Sequence, residues 1–332
     1  MLGVAVVGLG VGEQHARAYL QTLKCQLRWV YDLDGGRMDA LIRELGAGAR
    51  ADSFDAVLAD QRVDVVSIAS YDDAHAGQVV AALEAGKHVF VEKPLCRSQE
   101  EFRSIREAWR ANGCRQLAAN LVLRAAPVYE WLKREIGAGT FGEIYAFDGD
   151  YLYGRIDKIT SGWRADVDDY SVMQGGGVHL VDLMLWLTAQ RPGSVTAVGN
   201  RLSTLGTRFR YDDFVAATFQ FPSGLIGRIT ANFGCVHRHQ HTVRVFGTKA
   251  TFLCDDRGAR VHTARAPAVS ATELDLPLLP ASKGVLVPAF IDRILNKADA
   301  HSHANAEFDL VNVCLATDAA LKAARPVEIA YS

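Results

Sequence analysis

The feature that most constrains the fold is a glycine-rich turn at the start of the chain. Residues 4–7 form a short apolar run, Gly8, Gly10 and Gly12 follow at alternate positions, and residues 12–23 have helical spacing. A continuous apolar run is typical of a strand buried on both faces. Glycines after such a strand allow a tight turn and a close approach to a pyrophosphate, which the helix N-terminus binds. The pattern therefore predicts a dinucleotide-binding turn, although its spacing is GxGxG rather than GxGxxG.

The first 120 residues alternate between strand-like and helix-like segments. Buried strands are predicted at 27–31, 64–69, 88–91 and 116–120, and helices at 36–46, 73–85 and 98–112. Such alternation indicates a parallel sheet covered by helices on both faces. We therefore predict an α/β fold in which residues 1–121 form a doubly wound parallel sheet of the Rossmann type.

The pattern changes after residue 122. Helices are predicted at 126–137, 178–189, 284–297 and 306–324, and strands at 143–153, 194–203, 213–222, 224–234, 240–247, 249–254 and 259–264. Several of these strands follow one another without an intervening helix, which indicates a largely antiparallel sheet. Residues 265–283, with three prolines, are predicted as an irregular loop. Residues 122–332 are therefore predicted to form a second α/β domain.

Composition limits the partners of the chain. A length of 332 residues suits two domains, and a net charge of -2 with scattered Lys and Arg gives no basic footprint for nucleic acid or for a membrane surface. The six cysteines form no CxxC pair, so we expect reduced thiols and no zinc. The N-terminus lacks the basic region of a signal peptide, and no apolar run reaches membrane-spanning length. We expect a cytoplasmic protein.

An acidic residue ends the second predicted strand. Asp32 follows Gly8 by 24 positions. A carboxylate there accepts hydrogen bonds from a ribose diol and repels a 2′-phosphate, which favours NAD over NADP. Arg37 nearby favours NADP, and Asp32 as a solvated end of the strand is a further alternative.

The segment 81–95, which contains Glu92-Lys93-Pro94, resembles the signature of the Gfo/Idh/MocA oxidoreductase family. That family includes glucose-fructose oxidoreductase and inositol dehydrogenase. Further similar positions extend the resemblance from residue 3 to about residue 254: they are His15, His75, Asn120, Arg124, Pro127, residues 139–144, residues 177–182 and residues 247–250.

The resemblance implies a Rossmann domain followed by an α/β domain with a large open sheet. The free face of that sheet commonly forms an oligomer interface, so a homodimer or homotetramer is implied. It also implies hydride transfer between nicotinamide C4 and a sugar, polyol or sugar derivative. The cofactor would contact Gly8, Gly10, Val11, Gly12, Asp32, His75, Glu92 and Lys93.

Two residues are predicted to be catalytic. Lys93 would polarise the reacting oxygen or carry a proton; the alternative is a surface lysine paired with Glu92. His179 would take a hydroxyl proton during alcohol oxidation; the alternative is a histidine that caps the glycine-rich turn. On its helix His179 shares a face with Asp182, which would orient the ring or bind a sugar hydroxyl.

The sequence departs from the family pattern four residues before His179. The family often has an aspartate there, and this chain has Gly175. The missing acid is predicted either to come from Asp168, Asp169 or Tyr170, or to be unnecessary beside Lys93 and His179.

Aromatic and cationic residues follow the first strand of the second domain. Tyr153, Arg155, Trp163 and Arg164 are of the types that stack on sugar faces and bind hydroxyl or carboxylate groups. They complete the predicted substrate site, whose other members are Lys93, Arg124 and Asp182. A surface loop with buried aromatic rings is the alternative.

Three further histidines have alternate positions. His237, His239 and His241 are predicted to face one side of a strand. Because same-face positions on one strand are nearly collinear, we expect no metal site; contacts with substrate or across a subunit interface are favoured.

Three functions are consistent with these features. The first is an NAD-dependent dehydrogenase of sugars, polyols or sugar-derived acids. The second is an enzyme that retains its nicotinamide and oxidises its substrate transiently, either to exchange an oxidant for a reductant or to cleave a glycoside. The third is a non-catalytic nucleotide sensor, which the presence of both Lys93 and His179 argues against.

Overall fold

The computed structural model describes residues 1–331 and divides them into two compact units. The first contains Met1–Val122 and Ala281–Val311, and the second contains Leu123–Pro280 and the residues from Asn312 onward. Residues 281–311, which the predicted domain 122–332 includes, therefore belong to the first unit. The helix Val287–Leu295 explains this grouping, because its residues Val287, Phe290 and Ile291 are part of the buried core of that unit.

The first unit is built on a six-stranded parallel sheet with the order β3-β2-β1-β4-β5-β6. This topology confirms the predicted doubly wound fold. Its elements are β1 (Leu2–Val7), α1 (Gly12–Gln21), β2 (Cys25–Tyr31), α2 (Gly35–Leu45), β3 (Ala49–Arg50), α3 (Phe54–Ala59), β4 (Val65–Ile68), α4 (His75–Glu84), β5 (His88–Val91), α5 (Gln99–Ala111) and β6 (Leu117–Ala119).

Local signals explain several helix boundaries of the first unit. The side chain of Asp34 caps α2 by accepting from the N–H groups of Gly36 and Arg37, and Ser98 caps α5 in the same way. Gly46 ends α2 in the left-handed conformation that glycine favours. Strand β3 and helix α3 have no signal in the sequence, because two and six residues are too short to show a period.

The second unit contains a nine-stranded sheet with the order β14-β13-β12-β11-β7-β10-β9-β8-β15. Neighbouring strands are antiparallel except β10 and β7, so the predicted mainly antiparallel sheet is confirmed. Its elements are α6 (Pro127–Gly137), β7 (Ile144–Leu152), α7 (Asp157–Thr160), α8 (Val178–Thr188), β8 (Ser194–Asn200), β9 (Phe214–Gln220), β10 (Ile226–Asn232), β11 (Gln240–Gly247), β12 (Thr251–Asp255), β13 (Gly258–His262), β14 (Thr272–Leu274) and β15 (Val327–Glu328). The helix of the first unit, Val287–Leu295, is α9, and α10 (Ala300–Ala323) follows it.

The two faces of the nine-stranded sheet differ in character. Along β11 the odd-numbered residues are buried and the even-numbered residues are partly exposed, as expected for a sheet covered on one side. Helix α8 contacts β7 and β10 on the covered face, and α6 contacts α8. The opposite face carries ion pairs, among them Asp148 with Arg228 and Asp150 with Arg244.

A π-helical turn, Met173–Gly177, directly precedes α8. Such turns are rare and occur often at functional sites. Within residues 1–331, no helix has both the length and the apolar character needed to cross a membrane.

Candidate functional site

The glycine turn of the first unit leaves room for a phosphate. Gly8 has φ +81°, and a Cβ there would lie 2.5 Å from the backbone of Ala69. A Cβ on Gly10 would meet no atom within 4 Å. Helix α1 begins at Gly12, and Val11 at its N-cap offers no side-chain hydrogen bond to the helix N–H groups. The open position at Gly10 and the uncapped helix end fit a pyrophosphate group.

Asp32 is bound to the glycine turn itself. Its Oδ2 accepts a 2.6 Å hydrogen bond from the N–H of Leu9, and its Oδ1 accepts one of 2.9 Å from Asp34 N–H. The Arg37 guanidinium lies 3.9 Å from Oδ2, and the Asp32 side chain is 14% exposed. The carboxylate therefore closes the turn, a contact that the sequence analysis did not foresee.

Glu92, which directly precedes Lys93 in the sequence, belongs to a buried polar network. Its Oε1 accepts a 2.6 Å hydrogen bond from Asn120 Nδ2 and lies 3.3 Å from His15 Nε2. On its other side the His15 ring lies 3.1 Å from the hydroxyl of Ser67. Burial by itself would raise the pKa of Glu92, but the neighbouring His15, with contributions from Lys93 and Asn120, lowers it to about 2. The network holds an ionised carboxylate at the end of β5.

Lys93 lies in a turn that His75 supports. The side chain of Lys93 is partly exposed, and the Lys93–Pro94 peptide bond is cis. His75 is fully buried; its Nδ1 lies 2.8 Å from the carbonyl oxygen of Pro94, and its Nε2 lies 3.2 Å from that of Ser70. The imidazole thus links the loops that follow β4 and β5, which is a supporting position below the surface.

In the second unit, three glycines precede His179. A Cβ on Gly176 would lie 2.3 Å from the ring of Tyr151, and a Cβ on Gly177 would lie 2.3 Å from Met173 Sδ. The glycines therefore allow neighbouring side chains to pack directly against the helix backbone at the start of α8.

His179 lies in a cluster of aromatic rings. It is 6% exposed, and its ring stacks on Tyr151 with centroids 6.3 Å apart. His241 lies 5.9 Å from His179 and 5.2 Å from Tyr151, and His239 lies 5.0 Å from His241. Tyr153 stacks beside Tyr151 at 6.1 Å. We call these five residues the histidine–tyrosine cluster.

The prediction that His237 faces the same side as His239 and His241 is wrong. His237 pairs with Asp256 at 3.1 Å instead. Because β11 begins at Gln240, both His237 and His239 precede the strand, and strand alternation does not fix their sides; of the two, His239 contacts His241. Within residues 1–331, no group of three or more His, Cys, Asp or Glu side chains has the arrangement of a metal site.

Arg124 and Asp182 bind each other. Arg124 Nε lies 3.0 and 2.9 Å from the two carboxylate oxygens of Asp182, and Nη2 also donates to Oδ1. Asp182 is 1% exposed. Burial raises the pKa of Asp182, and the Arg124 guanidinium opposes that shift. Where an Asp182 contact with the His179 ring or a substrate hydroxyl was expected, the structure has this buried pair, which anchors α8 to the segment before α6.

The predicted aromatic and cationic residues stack in two pairs. We call these four residues, Tyr153, Arg155, Trp163 and Arg164, the shelf. The Arg164 guanidinium lies 4.5 Å above the Trp163 ring, and Arg155 lies 5.8 Å from the ring of Tyr153. Arg164 Nε also donates a 3.0 Å hydrogen bond to the Tyr170 hydroxyl. Tyr170 is buried, whereas Asp168 and Asp169 are exposed.

The sequence did not indicate a partly buried carboxyl group on α10. Asp318 accepts hydrogen bonds from Ser171 Oγ at 2.7 Å and Gln174 Nε2 at 2.6 Å. Burial raises the pKa of Asp318, and both donors oppose that shift. It thereby fastens the π-helical turn. No local pattern could have revealed it, since it lies more than 140 positions from both partners.

The doubly wound sheet, the open glycine turn and the acidic residue after β2 together define a dinucleotide-binding class of protein. Comparison with family models agrees with this class. Residues 2–120 match the oxidoreductase family with an NAD-binding Rossmann fold, and residues 129–253 match the GFO/IDH/MocA C-terminal domain. The two matches span most of the chain, which therefore belongs to the Gfo/Idh/MocA family of NAD-binding oxidoreductases.

Several curated relatives have similar sequences. An uncharacterised oxidoreductase of Rhizobium meliloti is 29% identical over 66% of this chain and 62% of its own length. The 2,7-anhydro-N-acetylneuraminate hydratase of Escherichia coli is 28% identical over 77% of this chain and 68% of its own length. The scyllo-inositol 2-dehydrogenase (NAD(+)) of Bacillus subtilis is 28% identical over 75% and 72%. The match to the first of these thus spans less than two thirds of that relative.

Among solved structures, a levoglucosan dehydrogenase in complex with NADH has the same fold. It aligns with a TM-score of 0.85 and 20% identity, and the alignment covers 100% of both chains. At this identity the likeness concerns the fold alone.

Proposed function

We propose that this chain is an NAD-dependent oxidoreductase that transfers a hydride between nicotinamide C4 and a sugar, polyol or sugar-derived substrate. The observation that carries the proposal is the histidine–tyrosine cluster at α8, because imidazoles and flat aromatic rings are the groups that bind hydroxyl-rich substrates. The inositol dehydrogenase among the relatives supports the same substrate class.

The cofactor is proposed to lie on the glycine turn. Gly8, Gly10, Val11 and Gly12 would hold the pyrophosphate against the start of α1. Asp32 would bind the ribose diol with the lone pairs that its bonds to Leu9 and Asp34 leave available, and its charge would disfavour a 2′-phosphate. When bound, NAD⁺ supplies the hydride acceptor for the reaction.

Lys93 and His179 are proposed as the catalytic residues. The Lys93 ammonium would stabilise negative charge on the reacting oxygen. His179 would accept the hydroxyl proton during oxidation and return it during reduction. Glu92 and His75, predicted as cofactor contacts, are proposed to act by holding the Lys93 turn, since both are bound to neighbouring backbone or side chains.

The substrate is proposed to lie against the shelf of Tyr153, Arg155, Trp163 and Arg164 beside the histidine–tyrosine cluster. Arg124 and Asp182 would contribute by fixing α8. We propose that residues 1–121, together with residues 281–311 that belong to the same unit, form the cofactor domain. The rest of residues 122–332 is proposed to form the domain for substrate binding and self-association into a homodimer or homotetramer.

Reduced-nicotinamide absorbance tests the proposal. Wild-type protein would be assayed with NAD⁺ and NADP⁺ against inositols, levoglucosan, sugars, sugar acids and nucleotide sugars. Lys93→Met should bind NAD within a few-fold of wild type and lose turnover by about 100-fold. Lys249→Met, at an exposed hairpin, is the matched control and should keep full turnover. Near-wild-type turnover of Lys93→Met would remove Lys93 from the mechanism.

A second candidate follows from the hydratase among the relatives, whose name describes no net oxidation. In this case the chain would retain its nicotinamide and oxidise the substrate only transiently, so that water addition, glycoside cleavage or an exchange of oxidant for reductant is the net result. Protein purified with bound NAD that converts substrate without accumulating NADH would favour this candidate. Turnover that strictly requires added NAD⁺ would exclude it.

A further inference from the structure

The π-helical turn before α8 has a space at Gly175 that the hydroxyl group of Tyr170 fills. A Cβ on Gly175 would lie 2.2 Å from the Tyr170 hydroxyl oxygen and 2.8 Å from the carbon that carries it. No real side chain tolerates such a contact, so any residue other than glycine at 175 would displace Tyr170. The Tyr170 hydroxyl thus occupies the volume that the side chain of residue 175 would fill.

This volume faces the same side of the helix as His179. Residues four positions apart in a helix lie one above the other, and Gly175 precedes His179 by four positions. The surrounding rings agree with this placement: Tyr170 lies 6.2 Å from Phe233, which lies 5.5 Å from Tyr151, and Tyr151 stacks on His179. Phe233 therefore connects Tyr170 with the histidine–tyrosine cluster.

The hydroxyl is oriented by a cation. Arg164 Nε donates to the Tyr170 oxygen at 3.0 Å, while the guanidinium stacks on Trp163. Because Arg164 donates, Tyr170 acts as the acceptor in this bond, and its own O–H is directed elsewhere. A hydrogen bond from a charged donor also polarises the O–H group, which makes it a stronger donor.

We propose that the Tyr170 hydroxyl, held by Arg164, donates a hydrogen bond to a substrate oxygen in the His179 site. Glycine at position 175 allows this arrangement, because the absence of a side chain leaves the space that the Tyr170 hydroxyl occupies. The proposal rests on the proposed function and adds a specificity-determining residue to it, with a hydroxyl-bearing sugar or polyol as the ligand class.

The test is a set of four variants assayed with the best substrate of the panel. Tyr170→Phe keeps the ring and removes the hydroxyl; it should lower kcat/KM for that substrate roughly 10- to 100-fold, mainly through KM, and leave the Kd of NAD unchanged. Gly175→Ala should have a similar effect by displacing Tyr170. In a Tyr170→Ala background, however, Gly175→Ala should change kcat/KM less than about twofold, because the two effects share one cause.

Two controls separate this role from a structural one. Tyr211→Phe removes a hydroxyl that donates to the Val167 carbonyl at 2.6 Å, and Gly137→Ala adds a Cβ in a helix where nothing lies within 4 Å. Both should keep wild-type kcat/KM. Calorimetric binding of the alcohol substrate to the NADH-loaded protein, which cannot oxidise it, gives a second readout, and Tyr170→Phe should raise the substrate Kd by the same factor.

The outcomes distinguish the two proposals. Equal kcat/KM and substrate Kd for wild type and Tyr170→Phe would overturn this inference and leave the oxidoreductase function intact. Independent, additive losses from Tyr170→Ala and Gly175→Ala would also overturn it. A wild-type protein that neither converts nor binds any compound of the panel would overturn the proposed function and, with it, the inference.

Discussion

Asp32 combines a structural role with the selective role that we propose for it. Its carboxylate accepts from the N–H of Leu9 inside the glycine turn, and its negative charge is the property that we propose disfavours a 2′-phosphate. These two roles depend on different properties, since the bond to Leu9 needs an acceptor oxygen and the repulsion of phosphate needs a negative charge.

Asparagine at position 32 separates the two roles. Asp32→Asn keeps an acceptor oxygen for the Leu9 N–H, gives up the bond from the Asp34 N–H and removes the charge. The ratio of NAD to NADP affinity should therefore fall by about tenfold or more, while the affinity for NAD changes by less than this ratio. Asp32→Ala loses both properties and should weaken binding of NAD as well. Titrations of each dinucleotide measure these effects. Asp34→Asn, next to the turn, serves as the control, and an unchanged preference in Asp32→Asn would show that Asp32 does not select the cofactor.

At the scale of elements, the polar network at the end of β5 ties three segments of the first unit together. Glu92 follows β5, Asn120 follows β6, and His15 lies on α1. A buried carboxylate is costly unless neighbouring donors satisfy it, which Asn120 and His15 do here. The position of the adjacent Lys93 therefore depends on contacts between elements far apart in the sequence.

This network predicts a specific dependence of stability on pH. The pKa of Glu92 is lowered from 4.5 to about 2. Its contribution is thus complete above pH 4.5 and is lost as the pH falls toward 2. The difference in unfolding free energy between wild type and Glu92→Gln should shrink by about 3 kcal/mol across that window.

Urea unfolding of the two proteins at a series of pH values measures this difference. The exposed Glu84 provides the control, because Glu84→Gln should differ from wild type by a nearly constant amount over the same range. A Glu92→Gln difference that stays constant down to pH 2 would contradict the assigned network.

At the scale of the whole molecule, the face of the nine-stranded sheet opposite α6 and α8 carries an organised row of charges. Asp148 pairs with Arg228, and Asp150 accepts from both Thr230 and Arg244. The Arg228 side chain is 64% exposed. Such ordered, alternating charges can set the register of a second sheet packed on the same face, which is the self-association that we propose.

Reversal of one charge tests this association. Arg228→Glu would place three carboxylates side by side with Asp148 and Asp150, and the resulting repulsion should lower the oligomeric state or weaken the association by at least about tenfold. Sedimentation velocity over a range of concentrations measures it. Arg103→Glu, on the exposed side of α5, is the control. If Arg228→Glu assembles as the wild type does, the interface lies elsewhere.

The sequence by itself determined the two sheets, the glycine turn and the positions of Lys93 and His179. Apolar periodicity, helix caps and turn glycines act over a few residues, so they can be read along the chain. The resemblance to the family depended on such short segments too, and the family models confirmed it.

Only the tertiary structure decided which groups meet. Asn120 donates to the carbonyl of Lys283, 163 positions away, and Arg124 binds Asp182, 58 positions away. The assignment of residues 281–311 to the first unit is of the same kind. The physical reason is that these contacts arise when distant elements pack and exclude water, and side chains then pair because burial makes an unpaired polar group costly. No local pattern records the identity of such a partner.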